Sequence, residues 1–190
     1  MKDLVVIGWK NKLKVMQLYD LTSEMYEERY AEEQKAKYLI ALKNVEVTEA
    51  AVLDVGCGSG LFFKEAAPKA SFIIGVDISR KLLQHAKQQA GDFGNVLVLQ
   101  ADADHLPFQN GFFDVVLSFT VLQNMPKPSA TLSELKRVTK PVGRVVVTGL
   151  KRFFSLTLFT DLLEAAGFTI VSFDDSEELK CYVSVLVDNT

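Results

Sequence analysis

From Ala51 to Val187 the chain alternates short apolar runs with longer segments in which apolar residues recur every three or four positions. That is the pattern of strands interleaved with helices in a doubly wound α/β sheet. Strands are predicted at 52–55, 72–77, 96–100, 114–120, 144–148, 168–173 and 182–187. Ala51-Val-Leu-Asp-Val and Asp114-Val-Val-Leu-Ser-Phe are nearly continuous in apolar character, as expected of central strands buried on both faces. Helices are predicted at 61–67, stopped by Pro68, at 79–90, stopped by Gly91, at 129–138, and at 155–166, stopped by Gly167.

Ahead of Ala51 the pattern is polar. Asp20 or Thr22 can cap a helix running to about Leu42, with Glu24, Glu27 and Glu28 in its first turns and Lys35 and Lys37 later, the distribution that the helix dipole prefers. Tyr26 and Tyr30 share a face of that helix. Lys2, Lys10, Lys12 and Lys14 precede it and read as a solvated, flexible end. The chain is thus expected to be one domain, with an N-terminal helical lid segment over 1–50 and an α/β core over 51–190.

The stretch that changes this picture from fold to chemistry is Val52-Leu-Asp-Val-Gly-Cys-Gly-Ser-Gly-Leu-Phe62, a buried strand opening into three alternate glycines and then a helix. Glycines there permit positive φ and let backbone groups approach a ligand without a Cβ in the way. The dinucleotide count G-x-G-x-x-G would place its third glycine at position 61, which is Leu61, and this argues against a nicotinamide oxidoreductase. Asp54 at the loop mouth suits a ligand carrying an amine better than one carrying a pyrophosphate. The second predicted strand ends at Asp77, and the third ends at Gln100, which puts Asp102 just past it at the same rim. Three acids therefore stand at successive carboxyl ends of strands, where open α/β sheets bind ligands.

Composition narrows the class further. The 190 residues carry 21 Lys+Arg against 24 Asp+Glu, a net charge of −3, so no global basic field attracts nucleic acid. No apolar run reaches the ~18 residues of a membrane span, and 4–7 is too short for a signal-peptide core. With only Cys57 and Cys181, in neither metal-ligand spacing nor disulfide density, the expectation is a cytoplasmic protein without a protein-bound zinc.

The chain resembles the class I S-adenosylmethionine-dependent methyltransferases. The resemblance rests on Leu53-Asp-Val-Gly-Cys-Gly-Ser-Gly60, Gly75-Val-Asp-Ile-Ser79, Ala101-Asp-Ala-Asp-His-Leu-Pro-Phe108, Phe113-Asp-Val-Val-Leu-Ser118 and Lys136-Arg-Val-Thr-Lys-Pro-Val-Gly143, which recur in order over nearly all of 51–190. It implies a Rossmann-like, mostly parallel seven-stranded sheet in the order 3-2-1-4-5-7-6, with strand seven antiparallel and helices on both faces. It also implies S-adenosylmethionine as cofactor, with S-adenosylhomocysteine as product. Asp54 and the backbone of Gly56, Cys57, Gly58 and Gly60 would hold the methionine moiety, Asp77 the ribose hydroxyls, and Asp102 with Ala103 the adenine. Ile78 and Phe119 would belong to the same cofactor site. In that strand order the two cysteines lie three strands apart, so no disulfide is expected.

The acceptor side is less defined. Asn124 and Gln123 follow the strand whose end faces the transferable methyl in this family, and Tyr19 could reach the same place from the lid. No residue is assigned as a catalytic base. His85 and His105 read as surface or packing residues, and Tyr26 and Tyr30 as packing. The segment Phe119-Thr-Val-Leu-Gln-Asn-Met125 lacks the Asn/Asp-Pro-Pro-Tyr/Phe signature of amine and amide methylating relatives. A second departure, Val142 where relatives commonly show glycine, is expected to alter a turn slightly. The acceptor is expected to be a small molecule. The alternatives are an RNA or protein substrate handled with a small activator subunit, and a non-catalytic cofactor-binding module. The predicted edge strand 96–99 is apolar on both faces, so it is expected to be covered by helices of the fold or by a protein partner or second copy.

Overall fold

The computed structural model describes residues 2–189, with side chains described throughout that range except at 2–7 and 22–30. Seven strands form one sheet: β1 (Ala51–Val55), β2 (Phe72–Asp77), β3 (Val96–Gln100), β4 (Phe113–Ser118), β5 (Thr139–Leu150), β6 (Phe168–Asp174) and β7 (Cys181–Asp188). Their order is β3-β2-β1-β4-β5-β7-β6. β7 runs antiparallel to both neighbours and the other pairings are parallel. The topology is the one that the resemblance implies.

Alternation along the central strands sends side chains into two cores, one on each face. Val52, Val115, Leu117 and Val146 face one way, against α1 (Lys2–Asn44), α2 (Phe63–Ala66) and α3 (Arg80–Ala90). Leu53, Val116, Val145 and Val147 face the other, against α4 (Pro128–Val138) and α5 (Leu156–Ala165). α3 shows how local sequence sets an element. Ser79 caps it by accepting the Leu82 N–H at 3.1 Å, and Leu82, Leu83, Ala86 and Ala90 form its buried stripe.

Three expectations are corrected. The segment before Ala51 is a single helix from Lys2 to Asn44 and does not start at Asp20 or Thr22. Lys10 and Lys14 face solvent, but Lys12 is buried, which ties the supposed flexible end to the core. Asp20 accepts from the hydroxyl of Ser79 at 2.5 Å and from the Lys81 N–H at 3.3 Å, so it reinforces the start of α3 and caps no helix of its own. The side chains of Glu24, Tyr26, Glu27, Glu28 and Tyr30 lie outside the described ones.

The second correction concerns the sheet edge. Val96 and Val98 pack beneath the α3 side, but Leu97 and Leu99 on the opposite face are 67% and 42% exposed. Helices cover one face of β3 only. The third lies in β5, which begins at Thr139 rather than near 144. Thr139 pairs with Phe113, and the register then shifts before Val115 pairs with Arg144. Lys140 secures this irregular start through an ion pair with Asp114 at 2.7 Å.

Candidate functional site

β1 stops at Val55, and the chain turns through Gly56, Gly58 and Gly60 with φ of 78°, 56° and 86°. The N–H groups of Gly56 and Cys57 both donate to the Val76 carbonyl, at 2.7 and 3.0 Å, which presses the loop against the end of β2. A Cβ at Gly56 would stand 2.3 Å from a methyl of Val121, so this position needs glycine for space as well as for its φ.

Asp77, at the end of β2, is fixed by two backbone donors: Gly58 N–H at 3.0 Å on one oxygen and Ser79 N–H at 2.8 Å on the other. Burial raises its pKa against the pull of these hydrogen bonds, and the negative charge of Asp20 adds to the rise. Asp54 lies beneath the glycine loop, 2% exposed. Its burial, with the charge of Asp77 as second cause, pushes its pKa up to about 7.

A cleft of about 690 Å³, measured with its open mouth, lies across these strand ends, within the usual size range of ligand sites. Gly56, Gly58, Asp77, Ile78, Asp102 and Ala103 line it, as do Phe119, Asn124 and Tyr19. Four of the expected residues stand behind the lining. Asp54, Cys57 and Gly60 belong to the strand and loop beneath it, and Gln123 turns its amide to the Thr120 carbonyl. Val76, Leu82, Val55 and Ala101 add apolar wall.

Two further residues of the lining, Lys12 and Thr120, had no signal in the sequence. Lys12 reaches across from α1 and donates to both oxygens of Asp102, at 2.6 and 2.8 Å, and to Asp104 at 2.6 Å. Thr120 follows β4 with φ +63°. For a β-branched residue that conformation costs about 1–3 kcal/mol and persists only where the surroundings over-determine it. Its carbonyl accepts the Asn124 amide at 3.1 Å, and that amide also donates to the Tyr19 hydroxyl at 3.1 Å. Tyr19 and Asn124, 105 residues apart, thus meet at one end of the cleft.

Neither histidine lines the cleft. Among the described residues no helix is long and apolar enough to cross a membrane. Cys57 and Cys181 are both free and buried, and burial raises both thiol pKa values, that of Cys181 to about 11.

Residues 53–147, half of the chain, match the family described as the methyltransferase domain. A demethylmenaquinone methyltransferase of Staphylococcus saprophyticus is 38% identical over 97 residues, which are 50% of this chain and 42% of that protein. A ubiquinone biosynthesis O-methyltransferase of Aromatoleum aromaticum is 30% identical over 63% of this chain and 52% of its own length. The chain spans about half the length of these curated relatives. Among solved structures, one from the complex between the Haloferax volcanii Trm112 methyltransferase activator and a methyltransferase superposes with a TM-score of 0.74. It is 18% identical and covers 90% of this chain and 98% of that one, a likeness of fold. The strand order that the family requires and the family match over the glycine loop and both following strand ends agree. The chain belongs to the class I S-adenosylmethionine-dependent methyltransferase family.

Proposed function

We propose that this protein transfers the methyl group of S-adenosylmethionine to a small-molecule acceptor. The observation that carries the reading is the cleft in which Asp77 and Asp102 stand at adjacent strand ends beside a backbone cradle of positive-φ glycines. A nucleoside fits these donors and acceptors. Each Asp77 oxygen receives one backbone N–H and keeps a lone pair for a ribose hydroxyl. Ile78, Leu82 and Ala103 offer an apolar slot to a base, with Asp102 at its polar edge. Asp54, below the loop, would ionise against an amino-acid ammonium, whose positive charge opposes the rise that burial gives its pKa.

S-adenosylmethionine, when bound, supplies a methyl already activated by its positive sulfonium. The protein's part is alignment, and well-oriented reactants save roughly 7–11 kcal/mol of barrier. Asn124 and Tyr19 would orient the acceptor, while α1, held by Lys12, closes the cleft as a lid over it. The names of the two relatives, a demethylmenaquinone methyltransferase and a ubiquinone biosynthesis O-methyltransferase, support an acceptor of the small-molecule kind. The two free, buried thiols suit a reducing, cytoplasmic setting.

A second reading has its own observation. Leu97 and Leu99 leave one face of the edge strand β3 apolar and open, which favours a protein partner or a second copy there and, with it, a macromolecular substrate. The test is S-adenosylhomocysteine release over a panel of small hydroxylated, thiol and carboxylate acceptors, with RNA and protein substrates alongside. Turnover on a small acceptor by the isolated protein, unchanged in Leu97→Lys, supports the first reading. Turnover only on a macromolecule, or only with a partner that Leu97→Lys releases, supports the second. Tight cofactor binding without turnover on any of them points to a non-catalytic module.

A further inference from the structure

Lys37 is among the largest fully buried side chains, 1% exposed, and it takes no part in lining the cleft. Among the described residues its ammonium meets Glu33 Oε1 at 2.9 Å and the hydroxyl of Thr120 at 3.2 Å. Burying a lysine is unfavourable even with a partner, so a cation at this depth that spends one contact on a neutral hydroxyl calls for an explanation in terms of that hydroxyl. Thr120 is the strained residue at φ +63° on the cleft wall. Its hydroxyl also accepts the Gln34 amide at 3.3 Å, one turn before Lys37 on α1, and its N–H donates to Thr148 Oγ1 at 2.7 Å.

The left-handed kink has consequences on its other side. It turns the chain back so that Val121 packs onto Gly56 of the glycine loop. It also aims the Thr120 carbonyl at the side-chain amides of Gln123 and Asn124. We infer that Lys37, assisted by Gln34, is a positioning residue: its bond to Thr120 Oγ1 holds the left-handed kink and thereby sets the acceptor-side wall formed by Val121 and Asn124. α1 is on this view a clamp on the reacting end of the cleft as well as a cover for it. The inference rests on the proposed methyl-transfer reading for its purpose, though not for its geometry.

Backbone conformation at Thr120 makes the test specific. Asparagine adopts positive φ far more readily than threonine, so Thr120→Asn should make the clamp dispensable. Amide exchange over 119–126 and titration with S-adenosylhomocysteine are measured for the wild type, Lys37→Met, Thr120→Asn and the double variant. Lys37→Met is expected to speed exchange over 119–126 at least tenfold, with β5 unchanged and ligand affinity within threefold. In the Thr120→Asn background the same change should move exchange less than twofold. Thr120→Val, which removes the hydroxyl and leaves the lysine in place, should reproduce the effect of Lys37→Met should that variant fail to fold. Equal effects of Lys37→Met in both backgrounds, acceleration spread over the whole core, or an unaltered 119–126 segment in Thr120→Val would overturn the inference. Failure of the wild type to bind S-adenosylhomocysteine would count against the methyl-transfer reading and leave the exchange result standing.

Discussion

Lys12 donates to both carboxylate oxygens of Asp102 and, on its other side, to Asp104, so a residue near the start of the chain completes the outer wall of a cleft built 90 residues later. The ammonium sits between two acids that also meet directly, with the Asp104 backbone N–H donating to Asp102 Oδ1 at 3.0 Å. Lys12→Met would leave both carboxylates facing each other without a counter-charge. Hydrogen bonds to charged groups contribute roughly 1.5–3 kcal/mol, and a loss of about that size is expected as a lower melting temperature, with faster amide exchange over 8–20. An unchanged melting temperature would show that the contact contributes nothing.

Asp77→Asn keeps the size of the side chain and removes its charge. Charge-assisted bonds to two hydroxyls should be lost while the fold remains, since burial already disfavours the charge at this position. Affinity for S-adenosylhomocysteine should fall roughly ten- to hundredfold, with a melting temperature no lower than that of the wild type. A folded variant of wild-type affinity would remove Asp77 from the site.

The pH dependence follows from Asp54. Its folded pKa of about 7 lies above the ordinary value of 3.8, so folding favours the protonated carboxyl. The stability this contributes is fully present below pH 3.8 and is lost as pH rises toward 7. Without ligand, the melting temperature should decline between pH 5 and 7, and Asp54→Asn should flatten that decline. A wild type whose stability rises over this window would contradict the assignment.

Asn124→Ala should lower turnover tenfold or more while leaving affinity for S-adenosylhomocysteine within threefold, because Asn124 meets Tyr19 at the end of the cleft proposed to take the acceptor. Tyr19→Phe removes the other half of that contact and should act in the same direction. Gln123→Ala should cost less, since its amide serves the Thr120 carbonyl behind the lining. Steady-state kinetics on the acceptor identified by the panel decides among them.

How much of this was readable from the residues alone depends on where side-chain type reports environment. β2 and β3 appear at their predicted bounds because an apolar run closed by a polar residue, Asp77 in one and Gln100 in the other, marks both the strand and its end. The N-terminal helix was legible from Asp20 to about Leu42, but its inward face was not, because that stripe reads Gln34, Lys37, Tyr38 and Ala41. Half of that stripe is polar, and a hydropathy pattern assigns such positions to solvent. Lys12 was misread for the same reason, since a lysine that meets two distant acids looks in sequence like any solvated lysine. Thr120 gave no sign because its strain comes from contacts with α1 and β5, and no local preference predicts it. The open face of β3 depended on how far the helices extend beyond it, which strand sequence does not encode.

The account stands most directly on one titration: S-adenosylhomocysteine into the purified wild-type protein by calorimetry near neutral pH, with a nicotinamide dinucleotide as control. One saturable site per chain is predicted, with no binding of the dinucleotide and a clear loss of affinity in Asp77→Asn. A folded protein that takes up no S-adenosylhomocysteine, or that binds the dinucleotide in its place, would contradict the claim that this cleft holds the methyl donor.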